Sequence, residues 1–356
     1  MQKILTVIGA RPQFIKCAPV SREIRKNFKE ILVHTGQHYD DEMSKVFFEQ
    51  LKIPKPNYNL NVGSSSHAVQ TAMIMIGLEK VIMKNNPDLI IIYGDTNSTL
   101  AGALVGAKLH ILIAHIEAGL RSFNKNMPEE LNRITADHYS NFLFCPSQTA
   151  VNNLKNEGIK RNVFMVGDVM KDAVLDNINR ADSREICKRF DLNSNEPFYF
   201  LTIHRQENTD DPERFKRIIK ILSKIKCKVI FSVHPRTRKI IKENKFIIPS
   251  NVVLINPVNY LESLVLQKMA KIIITDSGGI QKEAFFLHTP CITLRDETEW
   301  VETVIDGKNI IVGTDLIKFR KAEDTFSNRT LNFNSNDYYG DGKASKKIVE
   351  ILSKNL

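Results

Sequence analysis

Short apolar runs alternate with longer amphipathic stretches along almost the whole chain. In the first half the runs are rich in Ile, Val and Leu and lie at residues 3–9, 30–34, 88–93, 110–116, 141–145 and 162–166. Strands that are buried on both faces have such continuous apolar runs, and a helix between two of them makes a parallel βαβ unit. The alternation therefore predicts an α/β fold, in which a doubly wound parallel sheet carries helices on both faces.

The same pattern begins again after a polar, charged segment at residues 181–197. The second series of apolar runs lies at residues 198–203, 228–233, 252–255, 271–275 and 290–294. A chain of 356 residues is also too long for one ordinary hydrophobic core. We therefore expect two Rossmann-like domains, residues 1–175 and residues 176–356, with a short amphipathic helix at the end of the second.

The composition indicates a globular cytoplasmic protein. The net charge is +10, but the lysines are spread along the chain, with no basic tail and no basic run interleaved with aromatic residues. We therefore expect no nucleic-acid partner. No apolar run approaches the roughly 20 residues that span a bilayer, and the start has no cleavage site of a signal peptide, so we expect no membrane association. The five cysteines form no C-x-x-C pair, which favours a reducing compartment.

A dense group of charged residues follows the apolar run at residues 110–116. His115-Ile-Glu-Ala-Gly-Leu-Arg121 and Pro128-Glu-Glu-Leu-Asn-Arg133 hold three acids and two arginines, and Asp95 follows the preceding run in the same way. Ligands of α/β proteins bind at the carboxyl ends of strands. We therefore interpret this group as a functional site, with a network of surface ion pairs as the alternative.

Two glycine-containing turns resemble anion-binding sites. The first, Gly9-Ala-Arg-Pro-Gln-Phe-Ile-Lys16, joins a strand to a helix and supplies the cations of Arg11 and Lys16. It matches neither G-x-G-x-x-G nor a P-loop, which argues against NAD and ATP. The second, Thr275-Asp-Ser-Gly-Gly-Ile-Gln-Lys-Glu283, combines a hydroxyl and two glycines at a helix start with an acid one turn later. We expect Ser277, Gly278 and Gly279 to bind phosphates and Glu283 to bind a ribose, as in a nucleoside-diphosphate site.

Histidines also follow apolar runs. His204 and His234 come at equivalent positions after two strands of the second domain, where an imidazole could bind phosphate or transfer protons. His34 and His38 have a spacing that could suit a metal, but we find no third ligand and expect no metal site.

Taken together, these motifs resemble a known family. Gly-Ala-Arg-Pro, Gly-Asp-Thr, His-Ile-Glu-Ala-Gly-Leu-Arg, Pro-Glu-Glu-x-Asn-Arg, His-Arg-x-Glu-Asn and Asp-Ser-Gly-Gly-Ile-Gln-x-Glu-Ala occur in order between residue 4 and about residue 312. This combination is similar to the non-hydrolysing UDP-N-acetylglucosamine 2-epimerases. The resemblance implies a glycosyltransferase-B-like architecture, a homodimer and a role in polysaccharide biosynthesis.

The resemblance also implies the reaction. Members of the family interconvert UDP-GlcNAc and UDP-ManNAc by eliminating UDP to give 2-acetamidoglucal and then adding it back, without NAD or metal. By motif position, Asp95, Glu117 and Glu129 are the acid and base candidates near C2, and His204 assists the diphosphate or proton transfer. The same comparison puts Arg11 and Lys16 in the active site, with Ser277, Gly278 and Gly279 on the phosphates and Glu283 on the ribose.

Some positions depart from the usual family pattern and leave alternatives open. Val258, Ser263 and Trp300-Val301 stand where many members have Gln, an aromatic residue and Arg-Pro. These changes resemble a sub-branch that epimerises UDP-2,3-diacetamido-2,3-dideoxy-glucuronic acid at C2. A retaining glycosyltransferase and a non-catalytic nucleotide-sugar sensor are further alternatives. Gln37 and His234 are candidate positions for a second, regulatory site, and Trp300 is expected to pack in the core.

Overall fold

The computed structural model of the protein describes residues 1–37, 48–192, 196–305, 307–328 and 337–356. His38, one of the two histidines weighed as metal ligands, lies outside the described residues. The chain forms two compact units. The first consists of Met1–Ala173 together with Asp337–Leu356, and the second is Val174–Asn336.

The first unit is built on a parallel sheet. Its seven strands are β1 Lys3–Ile8, β2 Lys29–His34, β3 Tyr58–Asn59, β4 Leu89–Tyr93, β5 Leu112–Ile116, β6 Phe142–Cys145 and β7 Val163–Met165. Their order in the sheet is β3-β2-β1-β4-β5-β6-β7. Because β1 pairs with both β2 and β4, the strand order reverses beside β1, and α/β proteins bind ligands at such a point.

Helices connect these strands. Those in the first unit are α1 Arg11–Asn27, α2 His67–Asn85, α3 Asn97–Lys108, α4 Pro128–Tyr139 and α5 Gln148–Asn156, and α6 Val169–Ile178 contains the boundary between the units. Both α1 and α4 carry a proline in the first turn, where no intrahelical partner for its nitrogen is needed. The residues of β1 and β4 are almost all buried, as expected for central strands of a sheet covered on both faces.

The second unit repeats this plan with a second parallel sheet. Its strands are β8 Phe198–Ile203, β9 Lys228–Val233, β10 Val252–Ile255, β11 Ile272–Thr275, β12 Cys291–Thr293 and β13 Asn309–Ile311, in the order β10-β9-β8-β11-β12-β13. Its helices are α7 Ser183–Arg189, α8 Gln206–Thr209, α9 Pro212–Leu222, α10 Pro235–Glu243, α11 Tyr260–Met269, α12 Gly278–Phe286, α13 Val301–Ile305 and α14 Leu316–Asn328. The predicted α/β class with two doubly wound sheets is confirmed.

The C-terminal helix corrects the predicted domain composition. This helix, α15 Ala344–Asn355, belongs to the first unit rather than to the second, and it packs against α1. The buried carboxylate of Asp172 caps it by accepting hydrogen bonds from the backbone nitrogens of Ala344 (3.0 Å) and Ser345 (2.8 Å). An amphipathic pattern predicts that a helix buries one face, but it does not identify the surface against which that face packs.

A search of the described residues for long apolar helices finds none that could cross a lipid bilayer.

Candidate active site

Glu117 occupies the carboxyl end of β5 in an unusual backbone conformation. Its φ is +74°, a left-handed value that costs free energy in a residue with a side chain. The backbone nitrogens of Glu117 and Ala118 both donate to the carbonyl oxygen of Phe144, at 3.1 Å each, which holds this turn against β6. The conformation directs the Glu117 carboxylate to the ammonium of Lys16 on α1, with which it forms an ion pair.

The Lys16 ammonium also lies beside the end of β4. A methyl group on Gly94 would come 3.2 Å from Lys16 Nζ, and Gly94 has a φ of +60°. A side chain at this position would therefore be strained and would press on the ion pair. The buried Lys16 ammonium, carried on α1, therefore lies beside the ends of both β4 and β5.

Asp95 follows β4 and is held by two residues of α4. Arg133 forms an ion pair with the Asp95 carboxylate, and Asn132 Nδ2 donates to the Asp95 carbonyl oxygen at 2.9 Å. The Arg133 side chain is 4% exposed, whereas that of Asp95 is 31% exposed. Asp95 is therefore oriented by a buried arginine and remains accessible to a ligand.

The neighbouring acids Glu129 and Glu130 differ in their surroundings. Glu130 is buried and accepts hydrogen bonds from Ser122 N (2.9 Å), Ser122 Oγ (3.0 Å) and Phe123 N (2.9 Å), so it holds the loop that precedes α4. Glu129 is half-buried in the first turn of α4. The structure therefore assigns the loop contacts to Glu130, which leaves Glu129 as the residue of this pair that the proton-transfer hypothesis can use.

A buried network that the sequence motifs did not reveal connects these strand ends. His115 Nδ1 lies 2.7 Å from Asp137 Oδ1, and His115 Nε2 lies 2.7 Å from the Gly94 carbonyl oxygen. The imidazole of His115 thus lies between the Asp137 carboxylate and the backbone at the end of β4. Arg121 Nη1 donates to the other oxygen of Asp137 at 2.7 Å. Burial by itself would raise the pKa of Asp137, but His115 and Arg121 outweigh it and lower that pKa.

The turn after β1 contains Arg11, which is exposed at the start of α1, and a second overlooked residue, Gln13. Gln13 Oε1 accepts from the backbone nitrogens of Gly9 (2.8 Å) and Ala10 (3.1 Å), and its Nε2 donates to the Tyr93 carbonyl oxygen at 2.9 Å. The side chain thus connects the ends of β1 and β4. A Gln three residues after a helix cap could have indicated this role.

In the second unit, His204 is oriented by Asp276. The fully buried Asp276 carboxylate accepts from the backbone nitrogens of His204 (3.0 Å) and Arg205 (2.9 Å) and from Asn208 Nδ2 (3.1 Å). His204 Nδ1 lies 3.2 Å from the same carboxylate, and the His204 side chain is 40% exposed. Burial would raise the pKa of Asp276, but these donors, His204 foremost, lower it. With Nδ1 engaged, Nε2 is the ring nitrogen that His204 offers to a ligand.

His234 lies close to His204, as expected from their equivalent positions. The two ring centres are 5.8 Å apart. His234 also caps α10, because its Nδ1 accepts from the backbone nitrogen of Arg236 at 3.2 Å. His234 therefore has a structural role in addition to any contact with a ligand.

Ser277, Gly278 and Gly279 form the start of α12, as the sequence predicts. Ser277 is the cap, and its Oγ accepts from the backbone nitrogen of Ile280 at 3.4 Å. Glu283 is buried one turn later and accepts from Gln267 Nε2 at 2.6 Å. The helix start offers backbone nitrogens to an anion, and Gln267 orients the acid that the resemblance assigns to the ribose.

The positions that depart from the family pattern surround this helix. Gln267 Nε2 also donates to Ser263 Oγ at 3.1 Å, so Ser263 belongs to the chain of hydrogen bonds that ends at Glu283. Val258 is half-buried and packs against the hydrophobic core. Trp300 is buried, with 4% of its surface exposed.

His34, the one of the two considered metal ligands that the structure describes, has other contacts. His34 is buried, stacks on Phe14 with the ring centres 5.2 Å apart, and accepts at Nδ1 from the backbone nitrogen of Gly36 at 3.1 Å. Within the described ranges, no group of three or more His, Cys, Asp or Glu side chains is arranged to hold a metal ion.

Comparison with known proteins identifies the family. The family model described as UDP-N-acetylglucosamine 2-epimerase matches residues 22–353. A UDP-N-acetylglucosamine 2-epimerase homolog from Methanococcus maripaludis is 51% identical, with 99% of this chain and 100% of the relative covered. The UDP-2,3-diacetamido-2,3-dideoxy-D-glucuronate 2-epimerase of Pseudomonas aeruginosa is 48% identical, with 99% of each chain covered.

Solved structures support the same family. The crystal structure of Methanocaldococcus jannaschii UDP-GlcNAc 2-epimerase in complex with UDP-GlcNAc and UDP matches with a TM-score of 0.91 and 45% identity, over 99% of this chain and 100% of that one. The spinosyn rhamnosyltransferase SpnG, at 10% identity and a TM-score of 0.59 over 99% of this chain and 96% of its own, shows the shared glycosyltransferase-B-like fold alone. The chain therefore belongs to the UDP-N-acetylglucosamine 2-epimerase family of carbohydrate epimerases.

Proposed function

We propose that this chain interconverts UDP-GlcNAc and UDP-ManNAc. The observation that carries the proposal is the buried ion pair of Lys16 and Glu117, next to the accessible carboxylate of Asp95 at the adjoining strand end. Epimerisation at C2 requires groups that remove a proton and return one to the opposite face of the sugar. An ion-paired glutamate is a carboxylate, which is the form that accepts a proton.

The proposed reaction proceeds by elimination and addition. A carboxylate of the first unit removes the C2 proton, the C1–O bond breaks, and its electron pair leaves with UDP as a C1=C2 double bond forms. Protonation of C2 from the other face and attack of the UDP oxygen on C1 then give the epimer. Asp95, Glu117 and Glu129 are the candidates for these proton transfers, and Arg11 and Lys16 supply positive charge.

The second unit is proposed to bind the UDP portion. Ser277, Gly278 and Gly279 at the start of α12 would bind the diphosphate, and Glu283 would accept from the ribose hydroxyls. His204, whose Nδ1 is engaged by Asp276, would stabilise the departing diphosphate or assist proton transfer through Nε2. Stabilising the leaving group matters because negative charge develops on it as the C1–O bond breaks.

The test is proton NMR of UDP-GlcNAc incubated with the protein in deuterated water. We expect UDP-ManNAc to appear with deuterium at C2, because the proton that is returned comes from solvent. If the manno epimer forms with its original C2 proton retained in full, the proposed elimination and addition would be wrong. If neither exchange nor epimer is seen with protein that binds UDP, UDP-GlcNAc is not its substrate.

A second substrate is favoured by one specific relative. The Pseudomonas aeruginosa enzyme that is 48% identical acts, by its name, on UDP-2,3-diacetamido-2,3-dideoxy-D-glucuronate. The unusual residues Val258, Ser263 and Trp300-Val301 also resemble that sub-branch. The same NMR experiment with this sugar nucleotide distinguishes the two substrates by their rates of deuterium incorporation.

We also propose that the protein forms a homodimer. Val69, Met73, Ile76 and Met83 lie on one face of α2, and each is more than half exposed. Such a stripe suits a two-fold interface, in which the same helix face of a second copy covers it. Light scattering after size exclusion should give twice the mass of one chain, and Met73→Glu should reduce it to one. The same change at Ile247, which is exposed on the second unit, is the control.

We also propose that the protein is cytoplasmic and that its reaction uses neither NAD nor a metal. The location is supported by the cysteines, all of which are free thiols, including the buried Cys17, Cys145 and Cys291. Fractionation of cells that express the protein should recover it, together with its activity, in the cytoplasmic fraction.

A further inference from the structure

Trp300 has a buried hydrogen-bond donor for which the described residues supply no acceptor. It is the only tryptophan of the chain and is 4% exposed. Its indole Nε1 is buried, and no atom of the described residues accepts a hydrogen bond from it. A tryptophan N–H that is removed from water normally has an acceptor, since leaving it unpaired costs free energy. The missing acceptor is therefore expected to come from a ligand.

The indole nitrogen faces the start of α12. A methyl group on Gly278 would lie 3.1 Å from Trp300 Nε1. Gly278 is the first residue of this nine-residue helix, and Ser277 is its cap. The first-turn backbone nitrogens of a helix have no intrahelical acceptors, and the helix dipole favours an anion there. The indole nitrogen therefore lies beside the helix start that is proposed to bind the phosphates.

The position of Trp300 is determined by contacts on both sides. Its backbone nitrogen donates to Thr298 Oγ1 at 3.2 Å, and its carbonyl oxygen accepts from Thr303 Oγ1 at 2.7 Å. The ammonium of Lys282, a residue that is 1% exposed, lies 3.9 Å from the centre of the indole ring. A cation over the ring face withdraws electron density from the ring and makes its N–H a stronger donor.

An acid near the same point is neutralised. Glu299 Oε1 would lie 2.8 Å from a methyl group on Gly278. The other oxygen of Glu299 accepts from Arg295 Nη1 at 3.0 Å, and both side chains are almost completely buried. Because Arg295 balances its charge, Glu299 does not present an isolated negative charge to an anion at the helix start.

We propose that the indole N–H of Trp300 donates a hydrogen bond to a diphosphate oxygen of the nucleotide held by Ser277, Gly278 and Gly279. Lys282, beneath the ring, strengthens this donor. The inference rests on the proposed function, because that function supplies the diphosphate. The hydrogen bond would tighten as negative charge develops on the leaving UDP, so Trp300 would stabilise the departing group as well as bind it.

The single tryptophan makes a direct test possible without mutation. The proton–nitrogen correlation spectrum of the 15N-labelled protein contains one indole resonance. We expect saturating UDP to shift its proton downfield, whereas uridine, which lacks phosphate, leaves it nearly unchanged. A resonance that responds equally to UDP and uridine, or not at all to bound UDP, would overturn the inference.

Trp300→Phe provides the second measurement, because phenylalanine keeps an aromatic ring but has no N–H. Calorimetry should show UDP binding weakened by about tenfold and uridine binding unchanged. Lys282→Met, which keeps the apolar stem, should weaken UDP binding less and move the indole resonance upfield in the UDP complex. A Trp300→Phe protein with wild-type UDP affinity would exclude the hydrogen bond.

These results are separable from those that test the proposed function. A wild-type protein that binds UDP, shows the indole shift and yet does not epimerise a UDP-sugar would overturn the proposed function and leave the role of Trp300 standing. An active epimerase whose indole resonance does not respond to UDP would overturn the role of Trp300 and leave the proposed function standing. A wild-type protein that does not bind UDP would overturn both.

Discussion

Lys16 and Glu117 form an ion pair in which the two side chains are only 8% and 6% exposed. Removing two charges from water costs free energy, and burying either charge becomes strongly unfavourable if its partner is lost. The protein therefore places the Glu117 side chain against a buried cation at the end of β5, at the expense of a left-handed backbone at Glu117. Such local strain is typical of residues retained for function.

Replacing Glu117 by Gln should abolish epimerisation and leave UDP binding largely intact. The amide keeps the shape of the side chain but cannot accept the sugar proton at neutral pH. Turnover would be followed by NMR and UDP affinity by calorimetry, with a loss of at least 100-fold expected in turnover, about what general-base catalysis contributes. Glu350→Gln, which changes an exposed acid of α15 in the same unit, is the matched control. Substantial turnover by the Glu117 variant would remove Glu117 from the mechanism.

The coupling between Lys16 and Glu117 can be measured by a double-mutant cycle. Lys16→Met leaves a buried carboxylate without its cation and should lower the free energy of unfolding by about 3 kcal/mol. Combining it with Glu117→Gln removes both charges, so the double variant should be more stable than the sum of the single changes predicts, by roughly 2 kcal/mol. Urea unfolding of the wild type, the two single variants and the double variant gives the four free energies of unfolding. Strict additivity would show that the ion pair does not exist in solution.

Stability at acid pH should depend on Asp276. Its pKa in the folded protein is lowered from the ordinary value of 3.8, mainly because the donors of His204 outweigh burial. A lowered folded pKa means that the stabilising contribution is present above the unfolded pKa and is lost as the pH falls through the folded pKa. The stability difference between wild type and Asp276→Asn should therefore be largest at neutral pH and shrink below about pH 4.

Urea titrations of both proteins at a series of pH values measure this difference. Asp137, whose pKa is also lowered, remains present in both proteins, so its contribution cancels in the comparison. A difference in unfolding free energy that stays constant from neutral to acid pH would contradict the assigned role of Asp276.

Chelating agents should not affect the reaction. The proposed chemistry uses carboxylates and cationic side chains and passes no step through a metal. The deuterium-incorporation assay with and without EDTA measures this directly, and we expect equal rates. A loss of activity with EDTA that a divalent ion restores would show that a metal takes part.

Much of the fold could be predicted from local patterns, and so could the placement of several candidate residues at strand ends. The apolar runs predicted the strands, and their ends predicted where Asp95, Glu117, His204 and Ser277 lie, because a strand, a turn and a helix start are each determined within a few residues. His204 and His234, which follow two strands of the second domain at equivalent positions, lie near each other because parallel strands end at one edge of a sheet.

The sequence by itself thus determined the α/β class, the positions of the candidate residues at strand ends, and the resemblance to the epimerases. Only the tertiary structure determined which charges pair. Lys16 reaches Glu117, and His115 reaches Asp137, through the order of strands and the packing of helices, which local periodicity does not encode.

Packing between distant parts of the chain also explains the other features that the sequence did not predict. The C-terminal helix belongs to the first unit, where it packs against α1. The indole N–H of Trp300, for which the described residues supply no acceptor, lies beside Gly278, and no local pattern predicts that proximity. Burial and pairing are properties of distant residues that meet on folding. The sequence can therefore indicate which groups are available for chemistry, while the folded structure decides which of them are engaged and which remain open to a ligand.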